Sequence, residues 1–336
     1  SVFRHRRKRD VYSPGGKTGK RPDRAVIVYS NRAREAYRDA PVIIGGLEAS
    51  LRRLGHYDYW DDAVRPSILV DSGADLLMFG MGERTILVTA DWMSRGAPAW
   101  ECAKMRGVCF LSPAAMRASI EIPSYEDCVR SKKKYGEAFL VQYNEQDPIR
   151  GHAISQRHGD QYVVQTVPDM PLSREELDQS YTLPYQRTWH PDYDALGGVP
   201  AIEEVQFSIA HTRGCFGSCS FCAITFLQGR IVTTRSHESV VNEAKTITQM
   251  PNFKGYIHDV GGPTANFRRA ACDKQLKVGT CVGRQCLFPA PCKNLVADHS
   301  DYLALLRKLR KVPGVKKVFI RSGIRFDYLL ADPSDV

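Results

Sequence analysis

The sequence VQFSIAHTRGCFGSCSFC, residues 205–222, holds the pattern that decides the fold of its half of the chain. Val205–Ala210 is predicted to be a strand, and the residues after it form a loop. Gly214 and Gly217 in this loop allow the backbone to come close to another group. Three cysteines lie within eight residues of this loop, namely Cys215, Cys219 and Cys222. Thiols at this spacing, in a loop that leaves a strand, can hold one face of a metal cluster.

The number of thiols in the loop suggests what kind of cluster it holds. A 4Fe–4S cluster has four iron corners, and proteins usually supply four thiolates to it. Three thiols leave one iron open, and open coordination positions are where metal sites perform chemistry. The spacing also differs from the ferredoxin run, which has a fourth Cys followed by Pro. A structural zinc site made of three thiolates and one imidazole, from His211 or His237, is the alternative.

Strands and helices alternate on the C-terminal side of this loop. Ser236 is a plausible N-cap, and Pro251 ends the helix that follows it. The further elements are a strand at Tyr256–Val260, a helix at Ser300–Val312 and a strand at Val315–Ile320. Three βα steps predict the first half of a TIM-type (β/α) barrel. Because a parallel sheet with an open edge is incomplete, we expect the chain to be part of a longer protein.

The N-terminal half is also predicted to be α/β. Apolar runs suggest strands at Ala25–Ser30, Pro41–Ile44 and Ala74–Phe79, with helices at 31–38, 47–54 and from Arg84. This alternation predicts parallel strands in a doubly wound, Rossmann-like domain. Further along, we predict a helix over 123–145 and a hairpin at Ile154–Val167. The expected division is a basic arm (1–24), a Rossmann-like domain with a linker (25–200), and a second domain (201–336) with an insertion at 268–298.

The charge of the chain is concentrated at its beginning. The 336 residues carry a formal net charge of +10, and residues 1–24 contain nine Lys or Arg against two Asp. Such an arm is usually a solvated tail, although it can contact nucleic acid. Ten cysteines without a visible signal peptide indicate a reducing, cytoplasmic setting and metal chemistry. No apolar run approaches the roughly 20 residues of a membrane helix.

The cysteine loop resembles a known superfamily. Cys-x-x-x-Cys-x-aromatic-Cys, with Phe221 before Cys222, is the signature of radical S-adenosylmethionine (radical SAM) enzymes. Residues 11–54, 258–267 and 315–330 are similar to the YgiQ-type proteins of this superfamily, which are longer at both ends. The resemblance therefore implies a Rossmann-like, cobalamin-binding-like N-terminal domain followed by the first half of a radical SAM partial (β/α)6 barrel.

The resemblance also implies a chemistry. The amino and carboxylate groups of S-adenosylmethionine chelate the fourth iron, and an electron from the cluster cleaves the sulfonium to methionine and a 5′-deoxyadenosyl radical. The implied metal ligands are Cys215, Cys219 and Cys222, and the implied cofactor contacts are Phe221, Gly261 and Gly262. The electron would come from a donor such as flavodoxin or ferredoxin. The cobalt-binding pattern Asp-x-His is absent, so cobalamin is not predicted, and neither the substrate nor its catalytic residues are indicated.

Two further groups of residues are candidates. Charged and polar side chains at the ends of the later strands can bind a carboxylate or ribose, or can pair with each other: His258, Asp259, Arg321, Ser322, Arg325 and Asp327. In the superfamily's glycine-rich motif, Pro263 stands where Glu is usual. The insertion contains Cys272, Cys281, Cys286 and Cys292, which suggest an auxiliary cluster, a zinc site or four unliganded thiols.

The leading hypothesis is thus a radical SAM enzyme with an unknown substrate. Modification of RNA is a second enzymatic hypothesis, suggested only by the basic arm. A zinc- or cluster-bearing module that binds nucleic acid is the non-enzymatic one.

Overall fold

The computed structural model describes residues 9–334, which form a mixed α/β structure. The helices are α1 (Ala25–Ala36), α2 (Gly46–Leu51), α3 (Ile68–Ser72), α4 (Glu83–Ser94), α5 (Tyr125–Arg130), α6 (Lys132–Asn144), α7 (Arg174–Tyr181), α8 (Ile202–Val205), α9 (Ile224–Gln228), α10 (His237–Thr248), α11 (Asp273–Val278), α12 (Ser300–Leu309) and α13 (Phe326–Leu329). Short 3-10 turns lie at Pro14–Gly16, Ala99–Lys104 and Pro191–Leu196.

The strands are short, and most belong to one N-terminal sheet or to a C-terminal ribbon. They are β1 (Ile43–Ile44), β2 (His56–Asp58), β3 (Ala63–Arg65), β4 (Leu76–Met78), β5 (Val108–Ser112), β6 (Ile120–Ile122), β7 (Ile154–His158), β8 (Gln161–Gln165), β9 (Ser208–Ala210), β10 (Thr212–Arg213), β11 (Thr233–Thr234), β12 (Tyr256–Ile257), β13 (Asp259–Gly261) and β14 (Lys317–Val318).

The N-terminal sheet has six strands in the order β1-β4-β5-β8-β7-β6. The β1–β4 and β6–β7 pairs are parallel, whereas β4–β5, β5–β8 and β7–β8 are antiparallel. The α/β class is therefore confirmed, and β1 and β4, which lie at two of the predicted strands, do pair in parallel, but the sheet as a whole is mixed. The β7–β8 hairpin accounts for much of the difference, because a tight turn can join only antiparallel neighbours. That hairpin was predicted, and its turn contains Gly159 at a φ of 60°.

The first predicted strand, Ala25–Ser30, is instead the first half of α1. Val26 and Ile27 pack against the N-terminal core, whereas Val28 and Tyr29 are exposed. This one-sided burial is that of a surface helix, and the tertiary contact with α3 overrides the β-propensity of the apolar run. The predicted helix over 123–145 is two helices, α5 and α6, separated by the extended residue Ser131.

The C-terminal part contains the predicted alternation of strands and helices. Strand β9 pairs in parallel with β13, and β12 pairs in parallel with β14. Only His258 separates β12 from β13, so the three chain segments form one parallel ribbon in sequence order. Helices α10 and α12 connect them and bury Val240, Ala244, Leu305 and Leu309 against the strands. Val205 was predicted to begin the first strand but lies in α8.

Residues 9–24 are folded against the rest of the chain. Arg21 forms an ion pair with Asp10 at 2.8 Å, and Arg24 forms one with Asp58 at 2.9 Å. The backbone N–H of Gly15 donates to the carbonyl of Gly198 at 2.8 Å. Residues 9–24 are therefore a folded segment rather than a free tail, although most of their side chains are exposed to solvent, while residues 1–8 lie outside the described residues. Among residues 9–334, no helix is long and apolar enough to cross a membrane.

Candidate cluster-binding site

The three cysteines lie in the loop between β10 and α9, at the C-terminal end of the first ribbon strand. The backbone N–H of Cys215 donates to the carbonyl of Gly229 at 3.1 Å, which ties the start of the loop to the end of α9. A turn closes the other end, where the N–H of Cys222 donates to the carbonyl of Cys219 at 3.1 Å. The loop is thus fixed at both ends by its own backbone.

The thiols share one environment. The N–H of Gly217 lies 3.4 Å from the sulfur of Cys215, and the hydroxyl of Thr264 lies 3.6 Å from the same sulfur. Burial raises the pKa of Cys215, and charges on the nearby Cys219 and Cys222 thiols raise it further. Mutual repulsion between thiolates is relieved when a cationic metal group binds them. This donor set of three soft sulfur ligands fits an iron–sulfur cluster.

A cation also reaches the loop. Nη1 of Arg325 donates to the sulfur of Cys219 at 3.0 Å. Nε of the same side chain donates to Asp327 at 2.9 Å, and Nη2 donates to the second oxygen of Asp327. The hydrogen bond from Arg325 to Asp327 holds the pKa of the guanidinium above its usual range, so the group is charged. Three of the five N–H groups of Arg325 thus have partners within the protein, and the Nε–Nη2 edge of the guanidinium is taken by Asp327.

An aromatic cluster supports the loop from below. Phe216 stacks on Phe267 with ring centroids 3.8 Å apart, and the ring of Tyr328 packs edge-on against both. All three rings are buried, and the Cys215 side chain packs against them. Phe216, the residue after the first cysteine, is therefore an anchor for the loop, a role that the sequence pattern did not reveal.

The Gly261-Gly262 pair lies where the backbone passes close to neighbours. A Cβ on Gly261 would overlap the Ser322 side chain, and a Cβ on Gly262 would overlap Thr212. The carbonyl of Gly261 accepts a hydrogen bond from the N–H of His211 at 2.9 Å. Tight packing of the ribbon is thus a sufficient reason for both glycines. Their predicted contact with a cofactor stays a prediction.

Most of the other strand-end residues pair with each other. Asp259 accepts hydrogen bonds from the backbone N–H groups of Arg321 at 2.7 Å and Ser322 at 3.3 Å. The Arg321 side chain pairs with Glu204 at 2.9 Å, and the ring of His258 packs edge-on against Phe207. These contacts favour the alternative in which the strand-end residues pair within the protein rather than bind a carboxylate or ribose.

Phe221 is 89% exposed and stands beside a cavity of about 290 Å³. The N-terminal half supplies part of the lining, including His56 and Phe139, and Cys222 and Phe226 line the same cavity. Phe139 packs against Phe226 with ring centroids 5.4 Å apart. No sequence pattern predicted this cavity, because its lining comes from segments that are far apart in the chain.

His211 is engaged and cannot complete a zinc site without losing its partners. Its Nε2 lies 2.9 Å from the carbonyl of Ala265, and its Nδ1 lies 3.1 Å from a guanidinium nitrogen of Arg268. Burial lowers its pKa to about 3, so the imidazole is neutral, donating at Nε2 and accepting at Nδ1. His237, the other candidate, lies 2.8 Å from Asp301. His211 thus does not support the zinc alternative, whereas the pairing of His237 with a carboxylate does not decide against it.

The cysteines of the insertion gather around Cys286. Burial raises its pKa to about 11, and the other three thiols are near enough to contribute to that rise. The N–H of Cys292 donates to the carbonyl of Cys286 at 2.9 Å. Within residues 9–334, however, no three His, Cys, Asp or Glu side chains surround a single metal-ion position. The auxiliary metal therefore stays a prediction.

A parallel βαβαβ unit with a three-thiol loop after its first strand agrees with the arrangement that the resemblance implies. The chain belongs to the Radical SAM N-terminal family, whose model matches residues 1–208. This confirms the expected membership of the radical SAM superfamily. The three cysteines lie after the matched residues, so their role is a proposal.

Two clostridial proteins are similar to this chain over its whole length. A UPF0313 protein of Clostridium botulinum (strain ATCC 19397 / Type A) is 57% identical over 337 residues. A UPF0313 protein of Clostridium perfringens (strain SM101 / Type A) is 55% identical over 338 residues. Each match covers 100% of this chain but 52% and 51% of the relative, so the chain spans about half the length of these proteins.

Among solved structures, TsrM of Kitasatospora setae, a radical S-adenosylmethionine methyltransferase with tryptophan substrate and a SAM analogue bound, matches at 16% identity. That match has a TM-score of 0.37 and covers 76% of this chain and 35% of TsrM. At this level of similarity, neither the substrate nor the mechanism of TsrM is carried over.

Proposed function

We propose that this chain carries the cofactor site of a radical SAM enzyme, in which Cys215, Cys219 and Cys222 hold a 4Fe–4S cluster with one open iron. S-adenosylmethionine would bind that iron and, when bound, would supply a 5′-deoxyadenosyl radical after one-electron reductive cleavage. The observation that carries the proposal is the three-thiol loop at the C-terminal end of the first strand of a parallel ribbon. That end of the strands is where β/α folds place their active sites.

The residues around the loop have defined tasks in this proposal. Backbone hydrogen bonds to the carbonyls of Gly229 and Cys219 fix the loop. The stacked rings of Phe216 and Phe267 anchor it to the core beside it. A loop fixed in this way keeps the three cysteines in one short segment, where their side chains can turn toward a bound cluster. Phe221 stands exposed beside the third cysteine, where it can cover a bound cofactor.

The ribbon itself supports a proposal about the whole fold. Its three parallel strands and two connecting helices have the order expected of the first half of a partial (β/α)6 barrel. The remaining strands would lie in the part of the relatives that this chain does not span. The substrate would be bound there as well as here, and a small electron-transfer protein would supply the electron.

Anaerobic reconstitution of the full-length protein with iron and sulfide tests the proposal. Reduced protein mixed with S-adenosylmethionine should yield 5′-deoxyadenosine. Cys215→Ala should lose most of the iron–sulfur absorbance and essentially all of this product, because a cluster that lacks one of three ligands is poorly held. Cys102→Ala is the matched control, since Cys102 is buried in the N-terminal core away from the loop.

Two results would contradict the proposal. One is a wild-type protein that retains zinc but neither iron nor sulfide. The other is a Cys215→Ala protein that forms 5′-deoxyadenosine as fast as the Cys102→Ala control.

The nucleic-acid hypotheses receive less support from the described residues. They rest on the basic segment 1–24, and two of its arginines, Arg21 and Arg24, are directed to aspartates of the same chain. RNA modification and nucleic-acid binding therefore stay predictions and are not proposed as second functions.

A further inference from the structure

We infer that Arg325 is a positioning residue that tunes the cluster, by donating a charged N–H group to the sulfur of Cys219 and so making the cluster easier to reduce. The inference rests on the proposed function, because it requires a cluster on Cys219. It reassigns Arg325 from the cofactor carboxylate, the role for which the sequence made it a candidate, to a cluster sulfur.

The contact is direct and geometrically favourable. Nη1 of Arg325 lies 3.0 Å from the sulfur of Cys219. The missing side chain of Gly217 makes this approach feasible, since a Cβ at that position would come within 2.8 Å of Nη1. A glycine two residues before Cys219 thus provides the space through which the guanidinium reaches the thiol.

Hydrogen bonds to Asp327 and Asn266 hold the orientation of Arg325. Asp327 binds Nε and Nη2, which leaves Nη1 aimed at the sulfur. Asn266 holds the Arg325 backbone on both sides, accepting from its N–H at 2.9 Å and donating to its carbonyl at 3.2 Å. His299 lies 2.9 Å from the Asn266 amide and 2.7 Å from Asp332. Asn266 and His299 are both buried, so the backbone of Arg325 is firmly held, whereas the Asp327 side chain that orients the guanidinium is 40% exposed.

The effect of Arg325 on the reduction potential of the cluster follows from its charge. One-electron reduction places additional negative charge on a cluster and on its sulfur ligands. Hydrogen bonds to those sulfurs and nearby cations stabilise the reduced form more than the oxidised form, which raises the reduction potential. Charge-assisted hydrogen bonds are about twice as strong as neutral ones, so a single guanidinium contact has a measurable effect. Asp327 offsets part of the positive charge while it holds the group in place.

The experiment compares midpoint potentials in the reconstituted full-length protein, measured by redox titration with electron paramagnetic resonance. Arg325→Gln should lower the equilibrium constant for cluster reduction about tenfold, equivalent to about 59 mV for a one-electron couple. Arg325→Lys should show a smaller decrease, because it keeps the charge but loses the planar geometry that Asp327 holds. Arg269→Gln is the matched control, because Arg269 forms an exposed pair with Asp298. The cluster in this variant should have the same midpoint potential as in the wild-type protein.

A second measurement does not depend on a variant that loads iron. In wild-type protein labelled with 15N-arginine, electron–nuclear double resonance of the reduced cluster should show a coupled 15N nucleus and an exchangeable proton. An unlabelled sample provides the reference. A weak or absent coupling overturns the inference, as does an Arg325→Gln protein that loads full iron and has an unchanged potential.

The two proposals fail in different ways. If wild-type protein forms no cluster or no 5′-deoxyadenosine, the proposed function is wrong. If wild type does both and neither readout responds to Arg325, only the role of Arg325 is wrong.

Discussion

At the scale of single residues, the cysteine loop requires glycine at two positions, because neighbouring atoms occupy the space that a side chain would need there. Gly214 has a φ of 79°, and a Cβ there would overlap the carbonyl of Ile231. Gly217 lies between the Cys215 sulfur and Arg325. Because Gly214 and Gly217 have no side chains, the loop can lie close to Ile231 and to Arg325. Any side chain at either position pushes the thiols away from their supports.

A substitution at Gly214 tests this dependence. Gly214→Ala should combine a strained backbone, about 1–3 kcal/mol, with the overlap at Ile231, and should reduce the iron bound after reconstitution several-fold. Iron and sulfide analysis, together with thermal unfolding, checks the result.

The Gly73→Ala control has the backbone strain of a positive φ but no overlap between an added Cβ and neighbouring atoms. Gly73 has a φ of 60°, and a Cβ added there would have no atom within 4 Å, so Gly73→Ala carries the backbone cost alone. Equal iron loading in the two variants would show that the space at Gly214 is unimportant.

At the scale of elements, helix α10 agreed with the sequence, whereas helix α1 did not. Helix α10 begins after Ser236, whose hydroxyl accepts a hydrogen bond from the N–H of Ser239 at 3.0 Å. Its apolar face, formed by Val240, Ala244 and Ile247, is buried. Helix α1 has no side-chain cap and contains β-branched residues in its first turn, so its local sequence favours a strand. Only its packing on α3 makes it helical.

The cap of α10 makes a quantitative prediction. Ser236→Ala should lower the free energy of unfolding by about 1 kcal/mol, because one N–H of the first turn loses its partner. Denaturant unfolding of the full-length protein measures the change. Ser236→Asp should retain most of the stability, since Asp is also a good N-cap, and a loss equal to that of the alanine variant would contradict the capping role.

At the scale of the whole molecule, the N-terminal half holds the cysteine-rich insertion. Buried Asp147 accepts hydrogen bonds from both the N–H and the hydroxyl of Thr280 at 2.7 Å. Arg150 donates to the carbonyl of Thr280 at 2.8 Å. The insertion has one short helix, α11, and little regular structure besides it. Contacts at Thr280 therefore fix the segment next to Cys281.

Loss of this anchor should loosen the insertion while the rest stays folded. Asp147→Ala should increase amide hydrogen exchange at residues 279–292, because Thr280 loses two hydrogen bonds to a carboxylate. Peptide-level hydrogen exchange by mass spectrometry measures it.

Asp160→Ala, at the exposed tip of the β7–β8 hairpin, is the control and should leave that exchange unchanged. The anchoring role is refuted if the Asp147 variant shows the same exchange as this control.

The α/β class and the parallel C-terminal ribbon could be predicted from the amino-acid sequence, because they depend on spacing, capping and periodicity within short segments. Membership of the radical SAM superfamily could be predicted as well, and the role of the cysteine triplet stays a prediction. The strand directions of the N-terminal sheet, the helical state of Ala25–Ser30 and the folding of residues 9–24 became known only from the tertiary structure. The same is true of Arg325, which lies 106 residues from Cys219 in the chain. Contacts between distant segments are set by packing, and no local pattern records which charged side chain will meet a given thiol.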